Sequence, residues 1–264
     1  MKSVYTKALY DRRSFIIGWT VALTAISILM TSFYPAMHQE GVIDQLMKQM
    51  PPALQGLIGN LNNLSHFDTY IAAQLFDIRI SLIAGIMSII LALGLSTREE
   101  ESGELRTILA LPVSRTKMLF QKWLALCTIM AVTAMGLVVG IYAVLPFIDN
   151  ASIEYAQMAR LVAMTILIMI CYGTITFAAG MASGKRAVAS FVGVFTIIGS
   201  FLLSTFSVAV DWLKDYEKFS LLNYFPAVDI VSNGIELRDV IVLTSIIIIT
   251  LGIAWVLFRQ RDIA

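Results

Sequence analysis

The sequence predicts an all-α integral membrane protein with six transmembrane helices, and three observations support this fold class. Of the 264 residues, 58% are hydrophobic and 14% are charged, whereas soluble domains are usually about 45–50% apolar and about 25% charged. The mean hydropathy is +0.80. Six apolar runs are long enough to cross a bilayer, which takes about 20 helical residues. These runs are residues 14–34, 74–96, 118–145, 159–182, 188–210 and 239–258.

The composition argues against several other classes of protein. Disorder requires a low apolar content, which this chain does not have. The formal net charge of +1 gives no basic excess for binding nucleic acid. The two cysteines, Cys127 and Cys171, both lie in apolar runs, so a disulfide framework is not expected. We therefore treat residues 1–264 as a single domain with six spans.

The distribution of Lys and Arg predicts the orientation of the spans through the positive-inside rule. Thirteen of these residues fall in the N-terminal tail, the segment between spans two and three, the turn after span four and the C-terminus. Six fall on the other side. We expect both termini in the cytoplasm and the long segment 35–73 outside.

Two segments outside the spans show helical spacing of apolar residues. Apolar positions in residues 1–13 recur on one face with basic residues on the other, which is typical of an interfacial helix. A frayed, solvated tail is the alternative. The outer segment 35–73 predicts two short amphipathic helices, interrupted by Pro51-Pro52. A simple covering role or contact with a departing substrate both fit this segment.

The sequence contains no motif for nucleotide binding, metal binding or nucleophilic catalysis. It has no Gly-x-x-x-x-Gly-Lys, His-Glu-x-x-His, Cys-x-x-Cys or Gly-x-Ser-x-Gly pattern. We expect no catalytic, cofactor or metal site on this chain and no enzymatic activity. The charged residues nearest to a span interior are Asp77 and Arg79, for which a polar pathway and an interfacial role remain open.

The segment 97–117, between spans two and three, carries the most informative pattern. Thr97 followed by Glu100 is a capping-box pattern, and acidic residues fill the first turns, where the helix dipole favours them. The segment predicts a helix over 97–112 with an apolar stripe, ended by Pro112, after which Ser114 caps the next helix. Four acidic residues disfavour contact with an anionic leaflet and favour a protein partner. The acidic residues are Glu99, Glu100, Glu101 and Glu104, and the stripe is Leu105, Ile108 and Leu109.

This block resembles the ABC transporter permeases of the ABC-2 class. The matching residues are Arg98-Glu99-Glu100-Glu101, Gly103-Glu104-Leu105, Leu109-x-Leu111-Pro112-Val113-Ser114-Arg115 and Lys122. The outer segment from Met50-Pro51-Pro52 through Leu57-Ile58-Gly59 to Tyr70 and the ending Phe258-Arg259-x-Arg261-Asp262-Ile263 are also similar to that class. The six-span layout agrees with it.

The resemblance implies a permease subunit of an exporter that has no ATPase of its own. A cytoplasmic ATP-binding subunit would bind ATP and Mg²⁺, and a second permease chain would complete a homodimer or heterodimer in the lipid of a bacterial or archaeal cell membrane. The 97–112 helix would be the coupling helix that contacts the ATPase. The resemblance assigns this role to Glu99, Glu100, Glu101, Gly103, Glu104, Leu105, Ile108, Leu109, Pro112, Ser114 and Arg115. A stand-alone carrier, channel or membrane enzyme that uses Asp77 and Arg79 is the alternative.

Overall fold

The computed structural model describes residues 3–37, 66–103, 114–149, 151–207 and 210–261. Within these ranges the chain is helical and has no strand. Six helices there are long and apolar enough to cross a membrane, which confirms the predicted all-α membrane fold. Five of the six spans agree with the predicted bounds to within four residues. The spans are Arg13–Ser32, Phe67–Ser96, Arg115–Val144, Tyr155–Ser183, Arg186–Ser207 and Leu237–Gln260.

Shorter helices connect the spans. Val4–Asp11 precedes the first span, Tyr34–Met37 follows it, and Arg98–Glu101 follows the second. A 3-10 turn, Leu145–Phe147, ends the third span. Between the fifth and sixth spans lie four short elements, Asp211–Lys214, Glu217–Phe219, Leu221–Tyr224 and Ala227–Ser232.

The fourth span, Tyr155–Ser183, forms the centre of the bundle. It packs against the second, third, fifth and sixth spans, and 72% of its most apolar stretch is buried. The corresponding fraction is 17–22% for the first, fifth and sixth spans, which therefore lie at the periphery. Close approach in the centre depends on Gly180, where a Cβ would overlap the side chain of Ser96 on the second span. The absence of a side chain at Gly180 therefore permits the second and fourth spans to pack closely.

The first span packs along the third through two glycines spaced four apart. A Cβ on Gly136 would lie 2.6 Å from the Thr20 carbonyl oxygen, and one on Gly140 would lie 2.5 Å from the Thr24 carbonyl oxygen. The Thr24 hydroxyl donates a hydrogen bond to the Gly136 carbonyl at 3.1 Å. This Gly-x-x-x-Gly pattern lets the two backbones approach closely, so it fixes where the first span lies.

The second span begins at Phe67 rather than at the predicted residue 74. A helix over Phe67–Ile71 continues into a π-helical turn, Ala72–Phe76, and the backbone breaks at Asp77 before Ile78–Ser96. The break leaves backbone carbonyls without helical partners, and the Arg79 guanidinium donates to one of them, on Gln74, at 2.9 Å. Residues 67–73 thus continue the helical second span, and their place outside the membrane stays a prediction. The predicted amphipathic helices of 35–73 lie largely in 38–65, outside the described residues.

The N-terminal segment forms a helix, Val4–Asp11, docked on the third span. The Ser3 hydroxyl caps it by accepting from the Thr6 amide at 3.1 Å. The Val4 amide donates to Gln121 Oε1 at 3.1 Å, and Ala8 is buried. The frayed-tail alternative is wrong because these contacts order the segment, whereas the interfacial position stays a prediction.

Both ends of the described chain lie at the same end of the bundle. Residues 3–13, 96–103, 114–122, 183–186 and 259–261 meet there through ion pairs and hydrogen bonds. We call this region the basic end. It gathers the segments for which the sequence predicted a common side.

The packing of the first span yields a testable prediction. We expect Gly136→Ala and Gly140→Ala each to destabilise the protein by about 1–3 kcal/mol, because the added methyl group meets backbone that cannot move aside. The measurement is the midpoint of thermal unfolding in detergent. Gly252→Ala is the control, because a Cβ there has no neighbour within 4 Å. Equal midpoints for Gly140→Ala and Gly252→Ala would contradict this packing.

Candidate functional site

The acidic turn, residues 98–103, follows directly from the end of the second span. Its helix covers Arg98–Glu101, and the chain turns after it at Gly103, whose φ of +75° favours glycine. The prediction of one continuous helix over 97–112 is therefore wrong at Gly103, where the chain turns. The capping box is also wrong, because the Thr97 hydroxyl donates backward to the Leu93 carbonyl at 3.0 Å. Glu104, Leu105, Ile108, Leu109 and Pro112 lie outside the described residues.

Glu99 holds two lysines from different elements. Its Oε2 lies 2.6 Å from Lys122 Nζ on the third span, and its Oε1 lies 3.7 Å from Lys7 Nζ on the N-terminal helix. Lys122 is only 2% exposed. A buried ammonium group is unfavourable without a carboxylate beside it, so the position of Glu99 is tied to the third span.

Glu100 and Glu101 pair with the remaining spans. Glu100 accepts from the Arg261 guanidinium at the end of the sixth span, and Arg261 Nη1 also donates to the Met181 carbonyl at 2.9 Å. Glu101 Oε2 lies 3.4 Å from Arg186 Nη1 at the start of the fifth span. The pair of Glu100 and Arg261 fits against Gly184, where a Cβ would lie 2.5 Å from Glu100 Oε1.

Ser114 and Arg115 begin the third span and complete the same end. The Ser114 hydroxyl accepts from the Lys117 amide at 3.2 Å, which confirms the predicted cap. Arg115 Nη1 donates to the Arg261 carbonyl at 2.6 Å and to the carbonyls of Phe258 and Arg259, both at 3.3 Å. The Arg115 guanidinium thus donates to carbonyls at the end of the sixth span that lack helical partners. Its positive charge also interacts favourably with the negative end of that helix's dipole.

Three consecutive glutamates thus connect the acidic turn to four other elements. The N-terminal helix and the third, fifth and sixth spans each supply a cation. We call this arrangement the glutamate hub. Sequence reasoning placed the glutamates but missed the partners, which are Lys7, Lys122, Arg186 and Arg261. The available signal was that all four cations fall on the side with the larger number of Lys and Arg residues.

Asp77 and Arg79 lie far from the hub. The helix Ile78–Ser96 has 19 residues and separates them from the acidic turn by about 28 Å. Among the residues that the structure describes, no hydrogen bond or ion pair joins Asp77 to Arg79. The hydrogen bond from Arg79 to the Gln74 carbonyl stabilises the helix break.

Comparison with known proteins identifies the family. The family model described as ABC-2 family transporter protein matches residues 6–263. The chain belongs to this family. No protein with a curated description matches the chain. The family is a membrane permease component of ABC transporters, so this ABC-2 chain is a multi-pass membrane permease.

The described part of the ABC-2 permease shows no arrangement typical of a metal centre. No group of three or more His, Cys, Asp or Glu side chains in those residues could hold a metal ion. Both cysteines are free thiols.

The buried ion pair provides a second prediction. We expect Glu99→Gln to destabilise the permease by about 3 kcal/mol, because Lys122 would be left without its carboxylate. Lys122→Met combined with Glu99→Gln should recover most of the loss, as a double-mutant cycle of thermal unfolding in detergent would show.

Glu101→Gln is the matched control for this cycle. Its pair with Arg186 is exposed, with 43% and 59% of the two side chains accessible. Exposed pairs contribute about 1 kcal/mol or less, so a small effect is expected. Equal losses for Glu99→Gln and Glu101→Gln would show that burial of Lys122 does not control the site.

Proposed function

We propose that this chain is the membrane subunit of an ATP-driven exporter and that a separate cytoplasmic subunit hydrolyses the ATP. Membership of the ABC-2 family supports an ABC permease. The sequence has no phosphate-binding loop, which supports a nucleotide site on another chain. ATP and Mg²⁺ would then bind to that partner, and this chain would bind no cofactor.

The observation that carries the proposal is the glutamate hub. Gly103 and Ser114, the described residues on either side of segment 104–113, both lie at the basic end. A partner that pushes on this segment would act on the acidic turn, whose ion pairs reach the N-terminal helix and three spans. Packed elements of this kind shift between discrete arrangements. A movement of the ATPase would therefore change the side of the membrane from which the transport pathway is accessible.

This proposal gives separate tasks to the residues assigned by the family resemblance. Glu99, Glu100, Glu101, Ser114 and Arg115 would transmit movement within the permease, because their described contacts are internal. The stripe of Leu105, Ile108 and Leu109, together with Glu104, would contact the ATPase. Gly103 and Pro112 would set the limits of the docking segment.

The proposal also includes an orientation in the membrane and a second permease chain. The basic end would face the cytoplasm, in line with its surplus of Lys and Arg. The first, fifth and sixth spans expose apolar faces that would meet lipid or the second permease chain. In this proposal the permease exports its cargo from the cytoplasm.

A pull-down in mild detergent tests the docking role. We expect the wild-type chain to co-purify with an ATP-binding subunit at a ratio near one to one and with ATPase activity. Leu109→Lys should lose the partner, because a charge would replace the predicted apolar contact. Leu237→Lys is the matched control, since Leu237 is 73% exposed at the other end of the bundle.

A third variant separates docking from transmission. Glu100→Gln should keep the partner bound, because its described contact is internal to the permease. A clean wild-type chain without a nucleotide-binding partner would refute the proposed function. Retention of the partner by Leu109→Lys would refute the docking role of the stripe.

A further inference from the structure

A charged cavity of about 670 Å³ opens beside the glutamate hub at the basic end. The N-terminal helix, the start of the first span, the last turn of the second span, the acidic turn and Lys122 of the third span line it. Its volume falls within the range of about 300–1,000 Å³ that is typical of small-ligand sites. Because the spans begin and end at this level, the cavity would face the headgroup region of a bilayer.

Cations outnumber carboxylates around this cavity. Within the described part of the chain, its lining contains five cationic side chains and two carboxylates, those of Asp11 and Glu99. Glu99 is already paired with both lysines of the lining. The five cations are Lys7, Arg12, Arg13, Arg98 and Lys122.

Arg12 shows that the cations crowd one another. Its guanidinium lies against the backbone of the second span and donates to the Gly94 carbonyl, in space that exists because Gly94 has no Cβ. Burial lowers the pKa of Arg12 and the nearby Arg98 lowers it further, whereas the carboxylates of Asp11 and Glu99 raise it. A bound anion would relieve this repulsion.

An apolar strip leads away from the cavity along the first span. Arg13, Ile17 and Val21 are spaced four apart and so share one face of the helix. Ile17 and Val21 are 64% and 62% exposed. A phosphate group held at Arg13 would therefore place an attached acyl chain along this strip, which a free phosphate ion would leave unused.

We propose that this cavity binds the phosphate headgroup of an anionic lipid, with an acyl chain lying on Ile17 and Val21. The proposal depends on the membrane location of the chain and not on the ATPase partner. Its failure would therefore leave the proposed function intact.

The test measures the thermal unfolding midpoint of the purified permease in dodecyl-maltoside micelles. Dioleoyl-phosphatidylglycerol at about a hundredfold excess over its Kd should raise the midpoint by about 5 °C. Dioleoyl-phosphatidylcholine should have no such effect. Inorganic phosphate, at the same concentration and ionic strength, is the arm that distinguishes a lipid from a soluble anion.

The variant for this test is Arg13→Gln combined with Arg98→Gln, because both side chains are exposed. Each lost cation should weaken binding about fivefold, so the shift should fall to about a third. Lys185→Gln is the control, since Lys185 is an exposed cation of the basic end that does not line the cavity.

The thermal unfolding test separates the possible occupants of the cavity. A shift that needs phosphatidylglycerol, shrinks in the double variant and persists in Lys185→Gln supports the proposal. An equal shift with inorganic phosphate contradicts a lipid occupant. No shift, or the same shift in the wild type and the double variant, overturns the site itself.

Discussion

The buried ion pair between Glu99 and Lys122 is the constraint on which the basic end depends. Moving an ammonium group out of water costs several kcal/mol even after relaxation, and a carboxylate at 2.6 Å offsets that cost only in one geometry. The pair therefore fixes the end of the second span against the third. Lys7 adds the N-terminal helix to the same carboxylate.

The neighbouring glutamates extend this constraint to the rest of the bundle. Glu100 holds the end of the sixth span, and Glu101 reaches the start of the fifth. The fourth span packs against all three of the spans that carry a partner of the hub. A short acidic turn is thus in contact, directly or through one neighbour, with most of the membrane domain. This arrangement is suited to converting a local push into a movement of whole helices.

The sequence predicted the features that depend on composition and local spacing. Hydropathy identified six spans because each must satisfy its own backbone bonds in lipid, and Ser114 was identifiable as a cap from its place before a helix. The count of Lys and Arg grouped the segments that meet at the basic end. The π-helical turn before Asp77 was not predictable, because it depends on burial among other spans.

The partners of the glutamates are the main part of the site that sequence reasoning missed. Glu99 and Lys122 are distant in the chain, and Glu100 and Arg261 more so, so no local pattern joins them. Gly136 and Gly140, in contrast, are close in the chain, and the sequence shows them as a Gly-x-x-x-Gly pattern. The pattern alone does not show which span packs on it, and the structure places the first span there.

The central claim is that the hub transmits movement from the ATPase to the spans, and the two native cysteines allow a direct test without a known cargo. Cys127 lies on the third span and Cys171 is buried on the fourth. Maleimide labelling of each cysteine, followed by mass spectrometry, would be compared with and without ATP and Mg²⁺ in the complex with the ATPase.

We expect the labelling rates to depend on nucleotide in the wild type, to lose that dependence in Glu100→Arg, and to regain it when Arg261→Glu restores an ion pair. A Glu100→Arg complex that keeps its partner and its nucleotide-dependent labelling would contradict the account.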